Sequence, residues 1–268
     1  MADDVNKAFR RSVDEGVARL ERPWPQLAAT GMVGGLDVSV GVLAMLVVEH
    51  QTGQPLLGAL AFGIGFLALT LANSELFTEN FLVPVAAVVA KDAPWWSVLR
   101  LWFGTLVLNL LGGWVATAMM VTAAPRLEPL ARSIGSDAVG LGIGTAAFAS
   151  AVIAGAVITL MTWMERSTDS VPAKILAAWA IAFVLSATPL QHTVVISVEA
   201  FAALHSGADF GYGQWARAAA WAAAGNIVGG LGLVTTLRLI QVGPREVHRE
   251  QARPSPTESE GDVATEGT

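Results

Sequence analysis

The sequence predicts an all-α membrane protein whose six transmembrane helices form two inverted three-helix repeats. Only 14% of its 268 residues are charged, and its mean hydropathy is +0.54. A soluble domain carries about 25% charged residues, so this chain has too few to cover a surface that faces water. Several apolar runs also reach the roughly 20 residues that a helix needs to cross a bilayer. A short motif that recurs late in the chain indicates the repeat.

Residues 1–25 predict an amphipathic helix that precedes the first span. Charges occur throughout residues 3–22, which argues against a signal peptide. Apolar residues recur between these charges at helical spacing, so the helix should lie at the membrane surface or against the bundle. These apolar residues are Val5, Phe9, Val13, Val17 and Leu20.

Six apolar stretches predict the spans of a channel domain that covers residues 26–242. They are 26–48, 56–90, 96–122, 138–164, 173–205 and 215–240.

Two of the six spans are interrupted by polar residues. The second would reach roughly 52 Å as one helix, and polar residues from Asn73 to Asn80 divide it. The fifth is divided at Thr188–Thr193, where Pro189 removes a backbone donor. We expect both helices to break at mid-depth. Each break should then be buried in protein or line a water-filled path, because irregular backbone is not tolerated in lipid.

Basic residues predict the orientation of the chain in the membrane. With six spans, thirteen of the sixteen Lys and Arg residues fall on one side, and only Arg126, Arg132 and Arg217 fall on the other. The positive-inside rule then places both termini in the cytoplasm, as expected for a protein of a bacterial-type inner membrane. Residues 243–268 end in a polar, acidic stretch without apolar periodicity, which predicts a disordered cytoplasmic tail.

An Asn-x-x-Gly-Gly motif in the third span recurs in the sixth. Each copy follows a broken span, so spans one to three resemble spans four to six, and an odd number of spans inverts the second half. Glycine pairs that merely allow close helix packing are the alternative explanation. The motif residues are Asn109, Gly112, Gly113, Asn226, Gly229 and Gly230.

Three short motifs resemble those of the formate/nitrite transporter family. They are SELFTEN at 74–80, LQHTVV at 190–195 and GNIVGG at 225–230, and the resemblance extends over residues 26–240. It implies an aquaporin-like protomer, a homopentamer and one substrate pore in each protomer.

The resemblance also assigns roles to single residues. Thr78 and His192 would form the central pair of the pore. Leu76 and Phe77 would form the constriction on the cytoplasmic side, whereas Phe62 and Leu185 would form the periplasmic one.

The sequence departs from the family pattern at three places. Gln191 stands where many members have glutamate, and Gly155 stands where an asparagine is expected. Residues 133–165 contain no Lys or Arg that could replace the basic residue of the periplasmic vestibule. These departures weaken the expected attraction of anions.

The chemistry of His192 agrees with the implied role. It is the only histidine within the core of a predicted span. Leaving such a side chain unpaired in hydrocarbon is costly, so a function is the default hypothesis for it. Imidazole can hydrogen-bond an anion or relay a proton to it. The alternative is a buried structural histidine that Thr78 satisfies. Glu75 and Glu79 should fix the loop through backbone N–H groups, or else form a ring that attracts cations.

The function predicted from the sequence is passage of small monovalent anions or their neutral acids across a lipid bilayer, dependent on pH through His192. A neutral-solute channel of the same fold and a non-conducting membrane scaffold are the alternatives. The sequence contains none of the common motifs for hydrolases or nucleotide binding, so we predict no enzymatic activity and no cofactor or metal. It also has no basic stripe that would bind nucleic acid.

Overall fold

The computed structural model describes residues 2–253, and all regular elements in this range are helical. The α-helices are α1 (Ala2–Glu21), α2 (Trp24–Thr52), α3 (Pro55–Ala72), α4 (Val83–Ala90), α5 (Trp95–Ala123), α6 (Glu128–Gly140), α7 (Thr145–Arg166), α8 (Val171–Ala187), α9 (Thr193–His205), α10 (Tyr212–Ile227), α11 (Thr236–Val242) and α12 (Pro244–Gln251). A 3-10 helix, Phe77–Phe81, precedes α4, and a π-helix, Val228–Thr235, joins α10 to α11.

The predicted six-span architecture is confirmed, with one change at the fourth span. Five helical segments in residues 2–253 are long and apolar enough to cross a membrane. The shorter helices α8 and α9 together form the remaining span, the fifth along the chain. The fourth span begins at Thr145 rather than at residue 138. Residues 128–140 form the separate helix α6, and the chain then turns through Gly142, whose φ of 60° suits glycine.

Both breaks lie at the predicted residues. With 18 and 17 residues, α3 and α8 are each about 26 Å long, close to the thickness of the hydrocarbon layer. Residues 71–73 and 187–189, at the ends of these helices, are exposed, whereas residues 74–84 and 191–198 are buried. The chain therefore turns at the end of a nearly full-length helix and returns into the bundle. The shorter helices α4 and α9 follow these returning segments.

Each half of the molecule also begins with a surface helix that packs on its own short helix. In the first half α1 packs on α4, and in the second α6 packs on α9. A Cβ added at Gly16 of α1 would lie 2.3 Å from the carbonyl oxygen of Val83. A Cβ added at Gly135 of α6 would lie 2.6 Å from the carbonyl oxygen of Glu199. The repeat is thus larger than the three predicted helices, because it includes these surface helices.

The helix α1 lies against the bundle. Its residues Phe9 and Val13 are buried against Leu82 and Ala86 at the start of α4. We call this end of the bundle the α1 end and the opposite one the far end.

Residues 244–251, which the sequence placed in a disordered tail, form the helix α12. Polar contacts anchor this helix where apolar periodicity is lacking. Glu246 accepts a hydrogen bond of 2.8 Å from Arg10, and Gln251 donates one of 2.8 Å to the carbonyl oxygen of Val89. The remainder of the predicted tail, from residue 254 onward, lies outside the described residues.

Candidate functional site

The asparagine of each motif holds one break in place with three hydrogen bonds. Asn109 accepts a bond of 2.9 Å from the backbone N–H of Phe77 and donates to the carbonyl oxygens of Gly31 (2.7 Å) and Glu75 (2.8 Å). A carboxamide has both donors and an acceptor, so one side chain satisfies three buried backbone groups.

Asn226 makes the same three bonds in the second half. It accepts from the backbone N–H of Thr193 at 2.9 Å and donates to the carbonyl oxygens of Ala151 (2.8 Å) and Gln191 (2.9 Å). Phe77 therefore corresponds to Thr193, and Leu76 corresponds to His192. The internal repeat predicted from the sequence places equivalent groups at equivalent contacts.

The glycine pairs have equivalent packing roles as well. A Cβ added at Gly112 would lie 2.2 Å from the carbonyl oxygen of Met32, and one at Gly229 would lie 1.8 Å from that of Val152. The second glycines, Gly113 and Gly230, meet side chains at 2.8 and 2.5 Å. These contacts admit no side chain, so the glycines set how closely the third and sixth spans approach their neighbours.

Gly155 belongs to the same packing scheme. A Cβ at this position would lie 2.1 Å from the carbonyl oxygen of Asn226, and its equivalent Gly35 stands at the same distance from that of Asn109. The glycine found where the family pattern has asparagine thus brings the fourth span against the sixth.

The predicted central pair is in contact at the place where the two returning segments meet. The hydroxyl oxygen of Thr78 lies 2.7 Å from Nε2 of His192, and both side chains are fully buried. The other ring nitrogen, Nδ1, accepts a bond of 3.3 Å from the backbone N–H of Val195 and so caps α9. An acceptor Nδ1 means that the neutral ring carries its proton on Nε2 and donates it to Thr78.

The predicted constriction residues all lie in the principal apolar cluster of the bundle. Their exposed fractions are 0% for Phe62, 0% for Leu76, 3% for Phe77 and 1% for Leu185. The ring of Phe77 is oriented by an edge-to-face contact with Phe81, with 5.0 Å between the centroids. An apolar surround of this kind disfavours a bare charge.

Gln191, the residue before the central histidine, is buried and acts mainly through its backbone. Its N–H donates to the hydroxyl of Ser150 at 3.1 Å, and its carbonyl oxygen accepts from Asn226.

A cavity of about 100 Å³ opens at the α1 end, beside the break in the second span. We call it the α1-end vestibule. Its lining includes the carboxylates Glu15, Glu75, Glu79 and Glu165 and the cations Arg19, Arg22, Arg166 and Lys174, together with Leu69, Thr70, Asn73 and Ser74.

The roles predicted for Glu75 and Glu79 are wrong, because these carboxylates face Arg19 of α1 and Arg22 directly after it. Glu75 makes a short ion pair with Arg22, and both carboxylates lie 3.8 Å from Arg19. Arg19 also donates a bond of 3.0 Å to the side chain of Asn80. Sequence reasoning missed these contacts. The signal available was an arginine, Arg19, that lies close to the apolar face of α1.

A cavity of about 550 Å³ lies at the far end, between α6 and the start of α10. Asp209 and Arg217 line it together with Gln214. A basic residue is therefore present in this cavity, although the segment 133–165 contains none. This residue, Arg217, lies near the start of the sixth span.

A comparison with models of known protein families identifies the family of this chain. The model of the formate/nitrite transporter family matches residues 6–240. The chain belongs to the formate/nitrite transporter family. Members of this family are membrane channels and transporters rather than enzymes, and the resemblance found in the three sequence motifs is confirmed.

Two individual transport proteins are similar to this chain in sequence. The uncharacterized transporter YrhG of Bacillus subtilis is 22% identical over 94% of this chain and 97% of its own. The formate channel BtFdhC of Bacillus thuringiensis is 27% identical over 37% of this chain and 41% of its own.

Two solved structures share the fold. A structure described as an FNT family ion channel has a TM-score of 0.79 at 19% identity, over 91% of this chain and 100% of its own. A pentameric formate channel with formate bound has a TM-score of 0.65 at 20% identity, over 80% of this chain and 95% of its own.

Proposed function

We propose that this family member passes small monovalent anions of the formate or nitrite type, or their neutral acids, through a pore in each protomer. One observation carries the proposal: a buried Thr78–His192 hydrogen bond joins the two breaks within an apolar surround. A similarity to a formate channel and to a solved formate-bound channel supports the substrate class.

The central pair offers one hydrogen-bond donor to a passing oxyanion. Thr78 accepts the Nε2 proton of His192, so its own hydroxyl proton is free to point toward a substrate oxygen. A single donor does not replace the hydration shell of a bare anion, whereas a neutral acid loses far less on entering an apolar constriction. We therefore propose that the acid form passes Leu76 and Phe77 more readily than the anion.

His192 makes the proposed passage dependent on pH. Protonation would convert Nδ1 from an acceptor into a donor and break its bond to the N–H of Val195. Loss of such a cap costs about 1 kcal/mol, so it would loosen the start of α9 next to the pore.

We propose a homopentamer in a bacterial inner membrane with both termini in the cytoplasm. The protomer presents large exposed apolar side chains, for example Phe103 and Met119 of α5, which need lipid or a neighbouring protomer to cover them. The chain has no native cysteine. Single cysteines at Gln251 and Gly140 would report the orientation, since an impermeant thiol reagent added to intact cells should label only the second.

A neutral-solute channel of the same fold is the second candidate. The four carboxylates and four cations of the α1-end vestibule balance one another, so this mouth has no net attraction for anions. Flux of water or urea that does not change with pH would favour it.

The test is formate and nitrite uptake into proteoliposomes that contain the full chain. Replacing His192 with alanine should lower the flux at least tenfold, because the donor arrangement at Thr78 is lost. His205→Ala is the matched control, since His205 lies outside the buried centre and contacts the carbonyl oxygen of Trp114. Equal flux in folded His192→Ala protein and wild type would contradict the proposal.

A further inference from the structure

The carboxylates of the α1-end vestibule are not equally paired. Glu15 accepts a bond of 2.9 Å from Nε of Arg19, and Glu75 pairs with Arg22. Burial alone would raise the pKa of the Glu15 carboxyl, but Arg19, Arg166 and Arg22 together hold its pKa below the ordinary value. Glu15 is thus ionised at neutral pH.

Glu79 and Glu165 have no cation of their own. The guanidinium nearest to Glu79 is that of Arg19, at 3.8 Å, and Arg19 already binds Glu15 and Asn80. Glu165 accepts a bond of 3.0 Å from the hydroxyl of Thr70, and no cation among residues 2–253 lies within 4.0 Å of it. Both side chains are almost completely buried and face the same small cavity. Two carboxylates buried at one cavity resist simultaneous ionisation.

A neighbouring atom indicates that this cavity receives a hydrogen-bond donor. Oε1 of Glu75 is buried, lies in a residue that lines the vestibule and has no hydrogen-bond partner among the described residues. A buried carboxylate oxygen without a donor is costly, and a protonated acid or a water molecule in the vestibule would satisfy it.

The far end of the molecule has no equivalent of this arrangement. The repeat relates Glu79 to Val195 and Glu165 to Met45, and it relates Arg19 to Ala138. Among the described residues, this arrangement of carboxylates and arginine therefore occurs at the α1 end and not at the far end.

We propose that Glu79 and Glu165 hold one proton between them and form a proton-exchange site, which protonates the substrate anion in the α1-end vestibule before it reaches Leu76 and Phe77. The inference rests on the proposed function and names where the neutral acid is made. The O–H bond of the shared carboxylic acid breaks, its electron pair stays on the glutamate oxygen, and a new O–H bond forms on the substrate oxygen. Water at the α1 end then returns a proton to the pair.

All charged groups that face the pair belong to four elements. They are Glu15 and Arg19 of α1 with Arg22 directly after it, Glu75 of the returning segment, Arg166 of α7 and Lys174 of α8. With one proton on the pair, three ionised carboxylates face the four cations of the vestibule, so its net charge attracts the anion, and the carboxylate pair then neutralises it.

The test separates loading of the anion from entry of acid that was already neutral. Uptake of formate into proteoliposomes is measured while pH rises by one unit at constant neutral-acid concentration, which raises the anion about tenfold. Wild-type uptake should rise with the anion, by several-fold. Uptake by Glu79→Gln and Glu165→Gln should stay constant, whereas the control Glu128→Gln, whose carboxylate pairs with Arg132 on α6, should behave as wild type.

A second measurement covers variants that fail to fold. The infrared spectrum of the wild-type chain at neutral pH should contain the C=O band of a protonated carboxylic acid, and absence of this band overturns the inference. Uptake that rises with the anion equally in the wild type and in folded Glu79→Gln and Glu165→Gln also overturns it. The proposed function fails separately, if wild-type flux does not depend on His192.

Discussion

The breaks in the second and fifth spans have the same frame and different contents. In each, one asparagine makes three hydrogen bonds to equivalent backbone groups, and one glycine admits a carbonyl oxygen at close range. Within this frame the first break presents Leu76 where the second presents His192. The first also carries Glu75 and Glu79, where the second has Gln191 and Val195.

This difference separates the residues that build the fold from those that give it a task. The asparagines satisfy buried backbone groups, and the glycines allow close contact with backbone oxygens. Both halves need these contacts, whatever substrate the protein transports. The side chains that differ between the halves are the ones that can hydrogen-bond, titrate or block a small acid.

The largest effect is expected for leucine at the close glycine contacts. Gly112→Leu and Gly229→Leu should each prevent folding or destabilise the protein by about 3 kcal/mol or more, because the added Cβ would collide with a backbone oxygen. Yield and thermal unfolding of detergent-purified protein measure this. Gly232→Leu is the control, since a Cβ there meets nothing within 4 Å. Normal stability of either close-contact variant would refute the shared frame.

The next effect tests a difference between the halves. Arg19→Ala should destabilise the protein by about 3 kcal/mol, because the carboxylates at Glu75 and Glu79 would remain in a buried site without this cation. Adding Glu79→Gln should recover part of the loss. Arg126→Ala, at an exposed position, should leave the unfolding temperature unchanged. An equal effect of both arginine substitutions would mean that the vestibule charges are not coupled to α1.

A comparable but symmetrical effect is expected for the two asparagines. Asn109→Leu and Asn226→Leu each remove three buried hydrogen bonds and should cost about 3 kcal/mol, with similar values for the two. Thermal unfolding in detergent compares them directly. A large difference between them would show that one break depends on its frame more than the other does.

The smallest effect concerns pH and the attachment of α1. The pKa of Glu15 in the folded chain is below its ordinary value, so its ionised form stabilises the fold at neutral pH. This stabilisation is lost as pH falls through the lowered pKa, so amide hydrogen exchange in α1 should speed up at strongly acidic pH. In Glu15→Gln the exchange should already be faster at neutral pH and should not depend on this titration. Unchanged exchange would show that other contacts hold α1.

The sequence predicted the features that depend on local patterns. Apolar length gave the spans, polar interruptions gave the breaks, and the recurrence of Asn109 and Asn226 gave the repeat. The pairing of Thr78 with His192 followed from a family resemblance, since these residues are 114 positions apart.

Features that depend on distant contacts were not predictable in this way. The length of α3 alone did not show that its chain turns back, because an interrupted apolar run fits a mid-depth break equally well. The pairing of Arg19 with Glu75 joins segments with no shared pattern. The surface helix α6 was not predicted, and its last residues, 138–140, were included in the fourth span because they are apolar or small.

Formate flux through Thr78→Val tests most directly whether the Thr78–His192 pair carries the transport. Valine keeps the shape of threonine and removes the hydroxyl that joins the two breaks. We expect at least a tenfold loss of flux with the unfolding temperature little changed, and recovery in Thr78→Ser. Flux through Thr78→Val equal to that of the wild type would contradict the claim that the Thr78–His192 pair carries the transport.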